Sequence, residues 1–428
     1  MPHGTGISVK IVGIRRANRD AMNTKLRGIF FFLLGLPAWF GVGASFAETY
    51  AVPNSGSPYV NLAEVEENGI IHLPTGVPVT VDQLIDVLSG ARVIYVGETH
   101  DNLEAHRVQL EIIRRLNEKF PGRVAVGMEM FRRSAQNGLD RWHDGTLSDR
   151  EFKKLFRRNW GRGYKVYRPI FDYLKANRLP LLGLKSTQET QDRLRRDGLD
   201  IADAKNVFPE MDLNDVYHKA HTMAVFGGHQ GGVDSSSGPY RMLVLWEETI
   251  AETVARFLQN DGFRDWKIVV LAGGFHVQYG FGIPKRAFRR VPHDYAIVLP
   301  TVTHVPDELQ DRKMEVKNVP IPLYAGDFAW KVAYRVLPPN RIRLGVFLQE
   351  LDAGLVVKEV GKNSNAARAG IQKDDVLIQL DGKKIVDQDD LVDRLQLKEI
   401  GGRATFKLRR GGQELDVEVT LAEPQKKE

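Results

Sequence analysis

The sequence predicts an α/β protein with a mainly parallel sheet flanked by helices on both faces, followed by a second, small β-rich domain. Three observations support this prediction. Five apolar segments are continuous rather than alternating, which is typical of strands buried on both faces. Amphipathic helical segments separate them, as in repeated strand–helix–strand units. The chain of 428 residues is also long enough for two folded cores.

The first element is an export signal over residues 1–47. Basic residues precede an apolar stretch that ends near Val42, and the small residues around Ala47 suit cleavage. Cleavage would leave a mature chain that starts at Glu48. An uncleaved membrane anchor is the alternative, and Met22 is an alternative start. We therefore expect an exported protein of a bacterial periplasm or cell envelope, which contacts the membrane only if the signal is retained.

The composition excludes several kinds of function. The chain has no cysteine, which excludes disulfides, thiolate metal sites, a lipidated cysteine and covalently attached haem. The net charge of +6 falls to +1 without the leader, because residues 1–47 contain six basic residues and one acidic residue. A nucleic-acid partner is therefore not expected.

The first domain is predicted at residues 48–318. Its strand segments are Val93–Val96, Val124–Met130, Leu181–Leu184, Ile268–Ala272 and Tyr295–Leu299. Helices are predicted at Leu103–Leu116 and Glu247–Leu258, and Asp101 is the predicted N-cap of the first. Because ligands of such sheets bind at the carboxyl ends of the strands, ionisable residues directly after these segments indicate the site.

Two of the strand segments end in a Gly-x-x-His turn. One turn is Gly97-Glu98-Thr99-His100 and the other is Gly273-Gly274-Phe275-His276. A further carboxylate, Glu129, lies inside an apolar run, where it would be costly to bury without a partner. We therefore predict one shared site, formed by Glu98, His100, Glu129 and His276.

Two other segments combine residue types that bind ligands. Asn214–Gln230 contains His218 and His221 at helical spacing, which suits a lid over a metal or haem, although a solvated loop is the simpler interpretation. Lys153–Arg168 interleaves cations with aromatic rings, which suits haem propionates and a planar macrocycle, or else a solvated basic helix face. His106, on the helix after the first turn, is predicted to lie on the surface.

The order of the motifs between Leu84 and Val305 resembles that of the ChaN-like haem-binding proteins, which belong to the Tiki/TraB/erythromycin-esterase superfamily. The motifs include Gly97–Asp101, Val126–Phe131, Leu245–Ala251 and Ala272–Pro284. The resemblance implies non-covalent haem binding at a dimer surface, in iron or haem acquisition, and hence a homodimer. It also implies that Tyr279 binds the haem iron with His276 and His100 nearby, since a phenolate suits ferric iron.

The wider superfamily implies a second interpretation, a metal-dependent hydrolase. Glu98, His100, Glu129 and His276 would then be both metal ligands and catalytic residues around Mn, Co or Zn, with one glutamate as general base toward a bound water. Neither a His-Glu-x-x-His nor a Gly-x-Ser-x-Gly motif occurs in the chain. A non-enzymatic envelope scaffold is the third interpretation, and the sequence leaves open whether the protein is an enzyme.

The second domain follows a proline-rich linker at residues 319–339 and spans residues 340–424. Its short strands and glycine turns resemble a PDZ domain of the kind attached to bacterial envelope proteases. The resemblance implies binding of a protein C-terminus or an extended peptide by strand addition, with the terminal carboxylate on the backbone of Leu344, Gly345, Val346 and Phe347. Asn365 and Asp374 stand where that family usually has proline and glycine. Aspartate tolerates a left-handed turn, so we expect the fold to be kept.

Overall fold

The computed structural model describes residues 60–161, 163–226, 238–312, 323–338, 342–351 and 354–423. The predicted export signal and the mature start at Glu48 lie outside these residues, as do Arg162 and parts of the predicted linker and of the Asn214–Gln230 segment. In the described part of the chain, no helix combines the length and the apolar character needed to cross a bilayer.

The first domain is built on an eight-stranded sheet. Its strands are β1 (Ile70–His72), β2 (Val77–Val79), β3 (Val93–Glu98), β4 (Val124–Arg132), β5 (Leu181–Lys185), β6 (Lys267–Gly273), β7 (Tyr295–Thr301) and β8 (Phe328–Lys331). Their order in the sheet is β2-β1-β8-β7-β3-β6-β4-β5. The six strands from β8 to β5 are parallel, whereas β1 pairs antiparallel with both of its neighbours, β8 and β2. The predicted fold class is confirmed.

Helices cover both faces of this sheet. They are α1 (Val81–Leu88), α2 (Leu103–Lys119), α3 (Gln136–His143), α4 (Asp149–Trp160), α5 (Tyr164–Ala176), α6 (Gln188–Asp197), α7 (Ala204–Val207), α8 (Val216–Phe226), α9 (Gly238–Gln259), α10 (Gly274–Val277) and α11 (Ile283–Arg290). Along β3, Ile94 and Val96 join a core with α1 to α5, whereas Val93 and Tyr95 join a core with α9 and α11. This alternation explains why the strand is apolar throughout.

The predicted N-cap of α2 is wrong by one residue. Asn102 has the extended backbone of a cap, and its side chain accepts a hydrogen bond from the amide of Glu104. Asp101 instead accepts a hydrogen bond from the hydroxyl of Tyr334 at 2.8 Å and pairs with Arg312. Two neighbouring residues could each cap the helix, and long-range partners that the sequence does not show determine which of them does.

The second domain has its own core and an antiparallel sheet. Its elements are β9 (Val346–Leu351), β10 (Gly354–Val360), α12 (Asn365–Arg368), β11 (Val376–Leu380), β12 (Lys383–Lys384), α13 (Gln388–Gln396), β13 (Arg403–Arg410) and β14 (Gln413–Thr420). The sheet order is β14-β13-β11-β10-β9, with β12 on β11. Strand β9 therefore lies at one edge of the sheet.

Candidate functional site

The carboxyl ends of β3, β6 and β4 meet at one edge of the large sheet. Glu98, the last residue of β3, pairs in register with Gly273, the last residue of β6. Strand β4 is irregular between Met128 and Arg132, and this places Glu129 so that its carboxylate accepts the amide of Gly273 at 3.0 Å. The two glycine–histidine turns are therefore neighbours, as the sequence predicts from the parallel order of their strands.

Glu98 is buried, and both of its carboxylate oxygens lie within hydrogen-bonding distance of protein groups. Its Oε1 accepts the hydroxyl of Tyr167 at 2.6 Å and lies 2.7 Å from Nδ1 of His100, and its Oε2 accepts the amide of Gln109 at 2.8 Å. Burial opposes ionisation, but His106 and His100 outweigh it and hold the pKa of the carboxyl below its usual value. Glu98 is thus a buried carboxylate that orients His100.

His106 is buried, which corrects the surface position predicted for it. Its Nδ1 lies 2.9 Å from Oε1 of Gln109 and its Nε2 lies 3.2 Å from the carbonyl oxygen of His100. The ring is 3% exposed and packs against Tyr167. The six-residue separation from His100 does not show this proximity, because it depends on how α2 turns back against β3.

The other half of the cluster joins two carboxylates through His276. Its Nδ1 lies 3.0 Å from Oε1 of Glu247 and its Nε2 lies 3.7 Å from Oε1 of Glu129. Burial disfavours the charged imidazole, but Glu129 and Glu247 outweigh it and raise the pKa of His276. Burial likewise opposes ionisation of Glu129, yet His276 and Lys185 lower its pKa to about 2. The carboxylates and the imidazole therefore favour one another's charged forms in the core.

An exposed edge of the cluster is formed by aromatic rings and two cationic groups. Lys185, at the end of β5, has its ammonium 5.1 Å from the ring centre of Trp160 and 4.2 Å from that of Trp246. Its Nζ also lies 3.4 Å from Oε1 of Glu129. The ring of His100 packs edge-on against Trp160, and its side chain is 44% exposed. His100 is the point at which this buried cluster meets solvent.

His100 and His221 are expected to titrate on opposite sides of neutral pH. Glu98 raises the pKa of His100 to about 9 against the opposing effect of burial, whereas burial and the neighbouring His218 lower the pKa of His221 to about 4. The stabilising contribution of charged His100 is therefore complete below pH 6.5 and is lost as the pH rises through about 9. NMR titration of the imidazole resonances measures both values, and a His100 midpoint near 6.5 would contradict the geometry.

His218 and His221 lie inside the protein on α8, so the solvated loop predicted for this part of the chain is wrong. Nε2 of His218 lies 2.8 Å from Oε2 of Glu247, and the ring of His221 stacks on Phe275 at 4.6 Å. The histidines are 1% and 4% exposed. The polar residues that follow suggested mobility, and residues 227–237 lie outside the described part of the chain.

Tyr279 follows His276 by three residues but packs among different rings. Its backbone is left-handed, with φ 57°, and its ring stacks on Phe281 at 5.4 Å and meets His221 edge-on at 5.3 Å. Phe281 in turn stacks on Tyr217 at 5.6 Å. The three stacked rings of Tyr217, Phe281 and Tyr279, called the aromatic ladder below, end in a Tyr217 side chain that is 44% exposed.

The carboxylates do not form a site suited to a divalent metal, so the metal alternative is not supported. Among the described residues, no group of three or more histidine and acidic side chains is arranged to hold an ion. The reason is visible in the partners of Glu98, Glu129 and Glu247, whose oxygens face tyrosine, glutamine, histidine, lysine and backbone donors instead of a shared centre. The metal and catalytic roles predicted for these residues remain without support.

The aromatic ladder is better suited to a haem than the buried carboxylate cluster is. A planar macrocycle needs an aromatic surface and an iron ligand. In the ladder Tyr217 is exposed, Tyr279 is half-buried and Phe281 is 5% exposed, so the accessible part lies at the Tyr217 end. Beside Tyr279, Nε2 of His221 is buried and makes no hydrogen bond within the part of the chain that is described. His276 and His100 belong to the carboxylate cluster, so of the three cofactor ligands predicted only Tyr279 lies in this surface.

The basic segment Lys153–Arg168 is largely occupied by contacts with the second domain. Arg157 pairs with Glu350 at 3.0 Å and Lys153 with Asp393 at 3.1 Å. Neither interpretation made from the sequence, a surface for haem propionates or a solvated face, describes these side chains. The sequence could not show this, because the acidic partners are about 200 positions away in the chain.

The peptide-binding loop predicted in the second domain is constrained by close contacts. Gly345 has φ +81°, and a β-carbon there would lie 2.3 Å from Cβ of Ser364, so the loop requires glycine. The side-chain amide of Asn365 donates to the carbonyl oxygens of Arg343 and Ala422 at 2.8 and 3.0 Å, which fastens the loop to the end of the domain. Asp374 has the left-handed backbone expected for it, with φ 68°.

Sequence reasoning missed the residues that complete the cluster. Glu247 is 0% exposed and joins His276 to His218, and Arg286 lies 3.7 Å from it. The signal for Glu247 was its place in an apolar helical run beside Glu248, which is itself buried and paired with Arg290. Two adjacent acidic residues in a buried helix require cationic partners, and this argument could have identified them.

Comparison with known proteins identifies both domains. Residues 84–287 match the family described as "Haem-binding uptake, Tiki superfamily, ChaN", and residues 343–421 match the PDZ domain family. The first domain is also similar to a solved structure entitled "Cofacial heme binding to ChaN of Campylobacter jejuni", with 15% identity, coverage of 62% of this chain and 98% of that chain, and a TM-score of 0.47.

The second domain is similar to parts of bacterial serine proteases. It is 38% identical over 80 residues to the serine protease Do-like HtrB of Bacillus subtilis (strain 168), and 34% identical over 71 residues to the serine protease Do-like HtrA of Lactobacillus helveticus. These matches cover 18% and 17% of this chain. The chain spans 17% of the length of each of these two relatives, so their whole activity does not transfer to it.

Proposed function

We propose that this chain, in which a ChaN-like haem-binding domain of the Tiki superfamily precedes a PDZ domain, binds haem non-covalently through the first domain and a protein C-terminus or extended peptide through the second. The family match of residues 84–287 supports the haem function. The PDZ match of residues 343–421 and the position of β9 at the edge of its sheet support the peptide function.

The aromatic ladder is the observation that carries the haem proposal. The exposed ring of Tyr217 ends the stack, and the exposed Met223 and Val216 on α8 extend the apolar area beside it. Tyr279 is the residue we expect to hold ferric iron, and bound haem would supply that iron as cargo. Because Val216, Tyr217 and Met223 are apolar and exposed, a second copy of the chain would shield the other face of the macrocycle, which agrees with the homodimer expected from the resemblance.

The cellular role follows from the leader and is part of the same proposal. The apolar segment before residue 48 favours export to the periplasm or envelope. An exported haem-binding protein with a peptide-binding module would act in iron or haem acquisition, with the second domain recruiting a partner protein. The carboxylate cluster is assigned no catalytic step, because its groups are paired with one another.

The test is a titration of the purified protein with haemin, followed by its visible spectrum. We expect a saturable change near one haem per chain, and we expect Tyr279→Phe to weaken binding about tenfold or more and to change the ligand-to-iron band, because the phenolate is removed. Tyr173→Phe, a half-buried tyrosine on α5 that hydrogen-bonds Asn117, is the matched control. Equal spectra and affinities for the wild type and Tyr279→Phe would refute the ligand assignment, and no saturable change would refute haem binding.

A further inference from the structure

Helix α4 presents a basic face to the PDZ domain. Four of its five cations recur at positions i, i+3, i+4 and i+7 and therefore share one side of the helix: Arg150, Lys153, Lys154 and Arg157. The opposite side carries Phe152 and Phe156, which are buried in the core of the first domain. The apolar side fixes the helix to the large sheet, so the basic side is held in place for contact with another surface.

The acidic partners of this face lie on β9 and on α13 with its N-cap, and the two groups together are called the charge latch below. Glu350 of β9 pairs with Lys154 at 3.2 Å and with Arg157 at 3.0 Å. Further pairs are Arg150 with Asp387 at 3.1 Å, Lys153 with Asp393 at 3.1 Å and with Asp389 at 3.9 Å, Arg157 with Asp389 at 3.5 Å, and Lys165 of α5 with Asp393 at 2.8 Å. Single exposed pairs contribute little, but a network with this density of opposite charge can position a domain.

Glu350 makes the latch relevant to peptide binding. It lies near the end of β9, whose outer edge pairs with no other strand in the described part of the chain. Its Oε1 also accepts the backbone amide of Gln388, the first residue of α13, at 3.2 Å. Lys154 and Arg157 thus lie at the place where β9 and α13 are joined. A peptide that extends along β9 as far as Glu350 would meet these two side chains.

The far end of α4 reaches the carboxylate cluster. Trp160, its last residue, packs against His100 and lies beside the Lys185 ammonium. The preceding Asn159 accepts the backbone amide of Arg132 at 3.1 Å through its side chain, next to the irregular part of β4 that holds Glu129. One twelve-residue helix therefore contacts both the edge strand of the PDZ domain and the exposed histidine of the first domain.

We propose that the charge latch closes the distal part of the β9 edge by docking the PDZ domain on α4, and that opening the latch makes the whole edge available to a protein C-terminus. Its occupant is thus a surface of the same chain, the basic side of α4. The peptide part of this inference rests on the proposed function of the PDZ domain, whereas the docking itself does not. Because the contacts are ionic and partly exposed, high salt opens the latch.

The test measures the distance between the two domains in the full chain. The absence of cysteine allows two spin labels to be placed by Val87→Cys on α1 and Leu397→Cys after α13, at positions that are 56% and 85% exposed. We expect one narrow distance distribution by pulsed electron paramagnetic resonance. It should broaden with the triple reversal Lys153→Glu, Lys154→Glu and Arg157→Glu. It should narrow again when Glu350→Lys and Asp389→Lys are added, because these restore opposite charges opposite residues 154 and 157 and keep the pair of Lys165 with Asp393.

Control variants test the docking of the PDZ domain, and a peptide measurement tests whether docking controls access to β9. Reversal of Arg195, Arg196 and Arg264 to glutamate, at exposed positions that pair with acidic residues of the first domain, should leave the distribution narrow. A broad wild-type distribution, or a narrow one after the triple reversal, would overturn the latch. A heptapeptide with a free C-terminus, selected from a random library on the triple-reversal protein, should bind that protein about fivefold or more tightly than the wild type. Equal affinities would overturn the gating, and failure to select any peptide would count against the peptide function alone.

Discussion

Glu247→Gln is expected to lower the free energy of unfolding by about 3 kcal/mol, because it removes one charge from a buried ion cluster and leaves its partners uncompensated. Glu247 is 0% exposed, and its two oxygens lie 3.0 Å from His276 and 2.8 Å from His218. Chemical denaturation at pH 7 measures the loss. A loss below 1 kcal/mol would show that the histidines do not depend on this charge.

The pH dependence of that loss has a definite sign. Burial opposes the ionisation of Glu247, but His218 and His276 outweigh it and hold its pKa far below the usual 4.5. The stabilising contribution is therefore complete above pH 4.5 and declines as the pH falls below that value. The difference between wild type and Glu247→Gln should be constant from pH 6 to 7 and smaller at pH 4.

Glu252→Gln on the same helix is the matched control. Its carboxylate is 28% exposed and pairs with Arg133 at 2.6 Å, so solvent screens the interaction and water can replace it. We expect a change of no more than about 1 kcal/mol. A comparable loss in both variants would mean that α9 is sensitive to any change of charge, and it would remove the argument from burial.

The periodicity of the sequence predicts the sheet well, because burial on both faces forces continuous apolar strands. It also predicts that Glu98, His100, Glu129 and His276 are neighbours, since parallel strands bring their carboxyl ends to one edge. It does not predict how these groups pair. Whether Glu129 binds a metal or the amide of Gly273 depends on an irregularity in β4 that has no signature in the residues around it.

The pairings between distant segments were also hidden from the sequence. The acidic partners of the α4 cations lie about 200 positions away, on β9 and α13, so a solvated face was a reasonable interpretation of the sequence. Complementary charge patterns on two segments become informative only when the fold places them together. The sequence also did not show that His100 and Tyr279 lie apart. The order of the motifs relates them, but His100 belongs to the carboxylate cluster and Tyr279 to the aromatic ladder.

Gly282→Ala is expected to lower the free energy of unfolding by about 2–3 kcal/mol through overpacking. A β-carbon at this position would lie 2.3 Å from the carbonyl oxygen of His276 and 2.9 Å from Oε1 of Glu247. The carbonyl is backbone and the carboxylate is held by His276 and His218, so neither can move without breaking the cluster. Denaturation measures the loss, and the His276 imidazole resonance should shift because its contact with Glu247 is displaced.

Gly274→Ala separates this effect from a general need for glycine in the turn. Its β-carbon would lie 3.6 Å from the carbonyl oxygen of Glu98, which is an ordinary van der Waals contact. Alanine also suits the helical position of Gly274 in α10. We therefore expect a change within about 0.5 kcal/mol. If the two variants were equally stable, the close packing of Gly282 against His276 would not be what holds the imidazole in position. A much larger loss of stability in Gly282→Ala than in Gly274→Ala would show that Gly282 is required because it packs against the ion cluster.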